Sequence, residues 1–199
     1  MWATPSTWCI DDPQHKEWRE RVAPHFSDPE GWRSHGLGMA QKYLEPGLRL
    51  HVWDPSLSDF TEEESTHCHR FAMASHILLG DLQHTEVQID SPGNWSLASF
   101  TTHPDGVEVK VESQVSVTSE YPSVLPEGSI YFFPAQTYHR AATRGLVITL
   151  VHLGPKTGPS FALFPPGTIP RHAHGEVPQG ALGNVLEAAR EATSSWSTP

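Results

Sequence analysis

The stretch from Leu48 to Leu153 is cut into pieces that admit few architectures. "LRLHVWD", "THCHRF", "ASHILLGDLQHTEVQI", "WSLASFTTH", "VEVKVESQVSVTSEY", "GSIYFFPA", "HRAATR" and "LVITLVHL" follow one another. Each is rich in β-branched or aromatic residues and is bounded by Gly, Pro, Asp or Asn. No helical period intervenes. Seven or more such segments in series predict an all-β fold, a small antiparallel jelly-roll barrel. The first segment alternates. Leu48, Leu50 and Val52 share one side, and Arg49, His51 and Trp53 share the other.

The ends read differently. Asp12 before Pro13 suits an N-cap followed by a first-turn proline. "DPEGWRSHGLGMAQKYL" predicts a second short helix, weakened by its glycines. After Gly154 the chain reads as loop, until "ALGNVLEAAREA" places Leu182, Val185, Leu186 and Ala189 on one helical face. The expected organisation is a helical N-terminal extension (1–47), a barrel (48–154), and a loop with a C-terminal helix packing on the barrel (155–199).

Composition limits the partners. The 199-residue chain is 37% hydrophobic and 18% charged, enough for one packed core. A net charge of −10 argues against bulk nucleic-acid binding, which needs a basic surface, but not against a nucleotide as a small substrate. The two cysteines, Cys9 and Cys68, make no disulfide framework and read as free thiols. No apolar run approaches the roughly 18 residues that span a bilayer. The start of the chain shows no basic and apolar leader, so a cytoplasmic protein is expected.

The chemistry-bearing residues are histidines. His67 and His69 are two apart, so on a strand they project from one face and can bind one transition metal together. Three residues then precede Met73, and six more precede Gly80. Further on, Gly128 is followed by five residues, Pro134, one residue, Gln136, two residues and His139. This double pattern resembles the two motifs of the cupin superfamily. The first is HxH, three or four residues, Glu, six residues, Gly. The second is Gly, five residues, Pro, x, Gly, two residues, His, three residues, Asn. The resemblance covers residues 48 to 152 and implies that His67, His69 and His139 bind a metal inside a jelly-roll barrel.

Three positions depart from that pattern. Gln136 and Thr143 stand where glycine and asparagine are usual, and read as drift at a turn and a strand. Met73 replaces the usual glutamate. Thioether sulfur is a poor ligand for Fe(II) or Zn(II), so Met73 reads as an apolar pocket wall. In this respect the chain resembles three-histidine iron cupins, the thiol and diketone-cleaving dioxygenases. Three neutral donors would leave the ion its full charge and open positions for an anionic substrate.

Other residues have weaker assignments. His76 is an odd number of residues from Met73, so it should face away from the metal. His84 and Glu86 share a face of the next strand, where either could support the ligands or replace one. By analogy with cupins, Tyr131 and Phe133 point into the barrel as pocket walls or plain core. If the Arg49 face is interior, Arg49 could clamp a carboxylate or phosphate with two parallel hydrogen bonds; if exterior, that face is surface under a terminal helix. Arg70 and Arg140 each follow a ligand histidine and should point away. A second HxH, His172 and His174, has no partner motif and reads as solvated loop. The resemblance thus implies a mononuclear metal-dependent cupin enzyme and, most specifically, an Fe(II) dioxygenase acting on a small, metal-chelating, anionic substrate. A non-redox cupin with Zn, Mn or Ni (isomerase, lyase or hydrolase) and a ligand-binding cupin without turnover are the alternatives. Cupins often pair through their sheets, so a homodimer is also expected.

Overall fold

The computed structural model describes residues 6–7, 13–34, 37–58, 61, 63–103, 106–170 and 179–197. In chain order the elements are β1 (Ser6–Thr7), α1 (Pro13–Val22), β2 (Arg33–Ser34), β3 (Leu37–Glu45), β4 (Leu48–Ser58), β5 (His67–Cys68), β6 (Phe71–Leu79) and β7 (Leu82–His103). There follow β8 (Gly106–Leu125), β9 (Ser129–Phe133), β10 (Tyr138–Ala142), β11 (Val147–Lys156), β12 (Phe161–Phe164) and α2 (Gln179–Ala192). Two antiparallel sheets result. One runs β1-β9-β6-β11-β4-β3-β2 and the other β10-β5-β12-β7-β8. The long β7 closes the smaller sheet by pairing with β10 through its first half and with β12 through its second.

Strand alternation gives the larger sheet two unlike faces. Leu48, Leu50 and Val52 of β4, with Ile148 and Leu150 of β11, face outward into a core completed by Val22 of α1 and Val185, Leu186 and Ala189 of α2. Each fully buried Leu, Ile or Val there contributes roughly 1.5–3 kcal/mol. The inner face carries Tyr43, Arg49, Val151, Ser75 and Tyr131 in one register row across five strands. Gln41, His51, Thr149 and Ile77 form the next row. The terminal helix therefore covers the apolar face of β4, and the Arg49 face is interior.

Two expectations fail. The second helix is absent among the described residues, where Arg33–Ser34 and Leu37–Glu45 form β2 and β3 at the end of the large sheet. Leu37, Met39, Gln41 and Tyr43 alternate with period two, and Gly38 has φ of +83°, which no helix accommodates. The region after Gly154 is also not all loop. β11 runs on to Lys156, and β12 pairs with both β5 and β7, adding its own residues to the smaller sheet. His172, His174 and Cys9 lie outside the described residues. Among those described, no helix is long and apolar enough to cross a membrane.

The motif glycine Gly80 ends β6 at φ +74°, where an added Cβ would lie 2.6 Å from the Leu146 carbonyl oxygen. Neither the backbone nor that oxygen can yield cheaply. Gly80→Ala should destabilise the fold by roughly 2–3 kcal/mol in urea denaturation. Gly145→Ala, whose methyl would meet nothing within 4 Å, should stay within about 0.5 kcal/mol of the parent.

Candidate metal centre

β5 and β10 are antiparallel neighbours, with His67 directly opposite His139. His69 lies just past β5, in the link to β6. One ligand nitrogen from each of these three histidines falls within 4.8 Å of the others. Among the described residues this is the one such grouping of His, Cys, Asp and Glu, and it contains no carboxylate.

The backbone selects the tautomers. His67 Nδ1 lies 2.7 Å from the Ser65 carbonyl, and His139 Nδ1 lies 3.0 Å from that of Thr137. A carbonyl can only accept, so each Nδ1 carries the proton and each Nε2 keeps its lone pair. This is the second hydrogen bond usual for a metal-ligating histidine. His67 Nε2 and His69 Nε2 are 3.1 Å apart. Two nitrogens on one cation at about 2.1 Å, near a right angle, would sit about 3 Å apart. The site also keeps the imidazoles of His67 and His139 neutral. Burial lowers the pKa of His67, against the pull of the Ser65 carbonyl. Burial, then the nearby His67 and His84, push His139 well below its ordinary value. Donor type, spacing and protonation all fit a transition-metal ion.

A cavity of about 800 Å³ opens from this cluster, lined by all three histidines and by Met73, Tyr131, Phe133 and Arg49. Met73 packs with Phe71, Phe133 and Val151 as an apolar wall. The His69 ring stacks on Phe71 at 5.2 Å, and His139 lies 4.4 Å from Phe133. Burial raises the Tyr131 phenol to about 12, with the Ser75 side chain acting in the opposite direction.

The remaining candidates are placed as follows. His84 does not line the cavity. It stacks beside the lining rings, 5.3 Å from His139 and 5.8 Å from Phe133, with Nε2 buried and lacking a hydrogen bond. Glu86 stands opposite His139 in register, and burial raises its pKa, but its carboxylate does not join the three-histidine group. His76 faces outward, where its Nε2 meets Nδ1 of His15 from α1 at 2.9 Å. Arg140 also points away and pairs with Glu120 at 2.9 Å. Arg70 is a correction, because it lines the cavity. The chain breaks from strand geometry at His69 and Arg70, so the alternation used to place it does not apply there.

Gln136 is a second correction. Its φ is +67°, a conformation that favours glycine, so the substitution is not neutral drift. Its backbone N–H donates to the His69 carbonyl at 2.8 Å, and its side-chain amide donates to the carbonyls of His69 and Pro159. It ties the second motif to the first. The residues missed from sequence are Tyr43, Phe71, Phe161 and Phe164, which also line the cavity. The alternation of β3 was a signal for Tyr43, and that of β6, which sets Phe71 on the face of Met73, was one for Phe71.

No family model and no curated protein matches the sequence. Among solved structures, protein NMB1881 from Neisseria meningitidis overlaps at TM-score 0.34 and 13% identity, covering 67% of this chain and 96% of that one. The hydroquinone 1,2-dioxygenase PnpCD, solved with Cd2+ and 4-hydroxybenzonitrile, overlaps at TM-score 0.36 and 10% identity, covering 78% and 86%. Such distant likeness assigns no activity to this chain.

His84 makes stability depend on pH. Burial, then nearby His67, lower its pKa from 6.5 to about 4. Between those values the unfolded chain binds more protons than the folded one. The contribution is therefore complete above pH 6.5 and is lost as pH falls toward 4, by on the order of 3 kcal/mol. In equilibrium denaturation of metal-free protein at pH 7 and pH 4.5, His84→Leu should lose less stability on acidification than the parent. Equal losses would mean that His84 protonates freely in the fold.

Proposed function

We propose that His67, His69 and His139 hold one divalent transition-metal ion, and that the chain is a mononuclear, metal-dependent cupin-like enzyme. The observation that carries this is the convergence of three imidazoles, two of them kept neutral by burial and oriented by backbone carbonyls, in the wall of one largely apolar cavity. Imidazole donors suit Fe, Zn and Ni alike. The finer reading is an Fe(II) dioxygenase acting on a small-molecule substrate that carries an anionic, metal-chelating group. A bound ion there would supply Lewis acidity and, as Fe(II), the capacity to activate dioxygen.

The chain's own residues do the rest. Ser65 and Thr137 hold His67 and His139 with Nε2 toward the cluster. Phe71, Met73, Phe133 and Val151 exclude water from its flank. Met73 adds no negative charge, so nothing at that position opposes the approach of an anionic group. His84 packs beside the His139 ring and Glu86 stands opposite His139 in register, so both support that ligand from the neighbouring strand.

Protein purified without added metal should contain a single transition metal by mass spectrometry. The Fe(II) form should give a nitrosyl electron paramagnetic resonance signal with nitric oxide. Bound zinc with no iron uptake and no nitrosyl signal would sink the dioxygenase reading and favour a Lewis-acid enzyme; metal at trace levels only would favour a binding protein. His139→Ala should lower metal content at least tenfold. His76→Ala should leave metal content unchanged while costing about 1–3 kcal/mol of stability, because the buried His15–His76 hydrogen bond is lost.

A further inference from the structure

The cavity wall holds two chemically different polar groups, the three histidines and Arg49. Arg49 reaches it from the start of β4, in register between Tyr43 and Val151. Its guanidinium carbon lies 4.5 Å from the Tyr43 ring and 5.3 Å from the Phe71 ring. Nη2 donates to the Tyr43 hydroxyl, and Nη1 makes only a long 3.4 Å contact with Gln41. Nε is buried and has no hydrogen-bond partner. Among the described residues no carboxylate pairs with Arg49. The acids that share the cavity are engaged elsewhere. Glu64 accepts from the Thr61 N–H at 2.9 Å, and Glu112 accepts from Ser99 at 2.6 Å and Lys110 at 2.8 Å. Arg70 adds a second positive charge to the same cavity.

A partly buried guanidinium without a counter-ion is costly, and an anion supplied from solution offsets that cost. The planar fork suits a carboxylate, sulfonate or phosphate. Burial lowers the Arg49 pKa; Tyr43 acts against this and Arg70 with it. Arginine nevertheless stays charged at every physiological pH.

The anion subsite is distinct from the histidine cluster. The Phe71 ring lies between them in sequence of contact, 5.2 Å from the His69 ring and 5.3 Å from the Arg49 guanidinium carbon. Tyr43, Phe100, Tyr131 and Phe161 extend this aromatic lining. The volume also matters. About 800 Å³ lies in the upper part of the roughly 300–1,000 Å³ typical of pockets for drug-sized ligands. It would hold roughly 25 waters at about 30 Å³ each, so an amino-acid-sized acid would leave most of it wet.

We propose that the cavity takes an amphipathic organic acid of drug-like size, whose anionic group sits on Arg49 and whose apolar body runs along Phe71 to the three histidines. This deepens the proposed function by naming the substrate class, and it rests on that reading only for the chemistry at the histidines. The acid on Arg49 is then a second polar group of the substrate, additional to the one that chelates the metal. Small thiol acids fall outside the class.

The test uses the metal-free full-length chain and two fluorescent probes, 8-anilinonaphthalene-1-sulfonate and its neutral analogue N-phenyl-1-naphthylamine. The sulfonate should bind saturably, one per chain. Arg49→Gln should weaken it at least tenfold and the neutral probe less than twofold, and Arg49→Lys should recover part of the loss. 3-Mercaptopropionate should displace the sulfonate only at a hundredfold higher concentration or more. Near-ultraviolet circular dichroism and Zn(II) affinity, both unchanged in Arg49→Gln, separate a lost anion contact from a lost fold. Absence of saturable sulfonate binding, an unchanged affinity in Arg49→Gln, or an equal loss for the neutral probe overturns the proposal. Loss of Zn(II) binding on His139→Ala with sulfonate binding intact supports separate subsites. A parent chain that binds the sulfonate but no metal would sink the enzyme reading alone.

Discussion

A sheet covered on both faces need not be apolar on both. In this fold the covering helices carry that consequence. α1 and α2 bury the outward residues of β4, β6 and β11 in the largest apolar cluster of the molecule. With so much of the driving force supplied outside the barrel, its interior is free to stay hollow and chemically mixed. Arg49, His51, Ser75 and Thr149 occupy inner positions that a small barrel would otherwise fill with Val, Ile or Leu. The cavity exists because the hydrophobic core was placed elsewhere.

The three-histidine cluster follows from the smaller sheet. β5 is only two residues long and is held between β10 and β12. Such a short strand would fray alone. Its register with β10 sets His67 against His139, and Gln136 anchors the next residues by bonding the His69 carbonyl. The backbone strain at Gln136 is offset by those hydrogen bonds, which a glycine side chain could not make. The positions of the histidines are thus fixed by main-chain pairing rather than by packing of the rings alone.

Much of this was legible from residue spacing. Strand alternation put His67 with His69, turned His76 away from them and set Tyr131 and Phe133 on one face, which the cupin resemblance made the inner one, because regular pleating transmits side-chain direction over several residues. It failed where pleating stops, as at Arg70. It also failed for β3, where glycines beside a run of good helix formers concealed a period of two. β12 was illegible for another reason. A four-residue strand among prolines and glycines carries almost no pattern, and its pairing with β5 and β7 is decided by distant residues. The interior placement of Arg49 could not be chosen from sequence. Both faces of β4 are buried, and only the docking of the helices shows which one is core.

The alternation of β4 has an evolutionary corollary. Leu48, Leu50 and Val52 answer to the helices, whereas Arg49, His51 and Trp53 answer to whatever enters the barrel. Adjacent codons therefore experience different selection. The even-numbered positions are constrained by the helices and Trp53 by a core cluster of its own, which leaves Arg49 as the position most open to retuning toward a new ligand. A lineage could change what this barrel accepts at that position while keeping its scaffold intact.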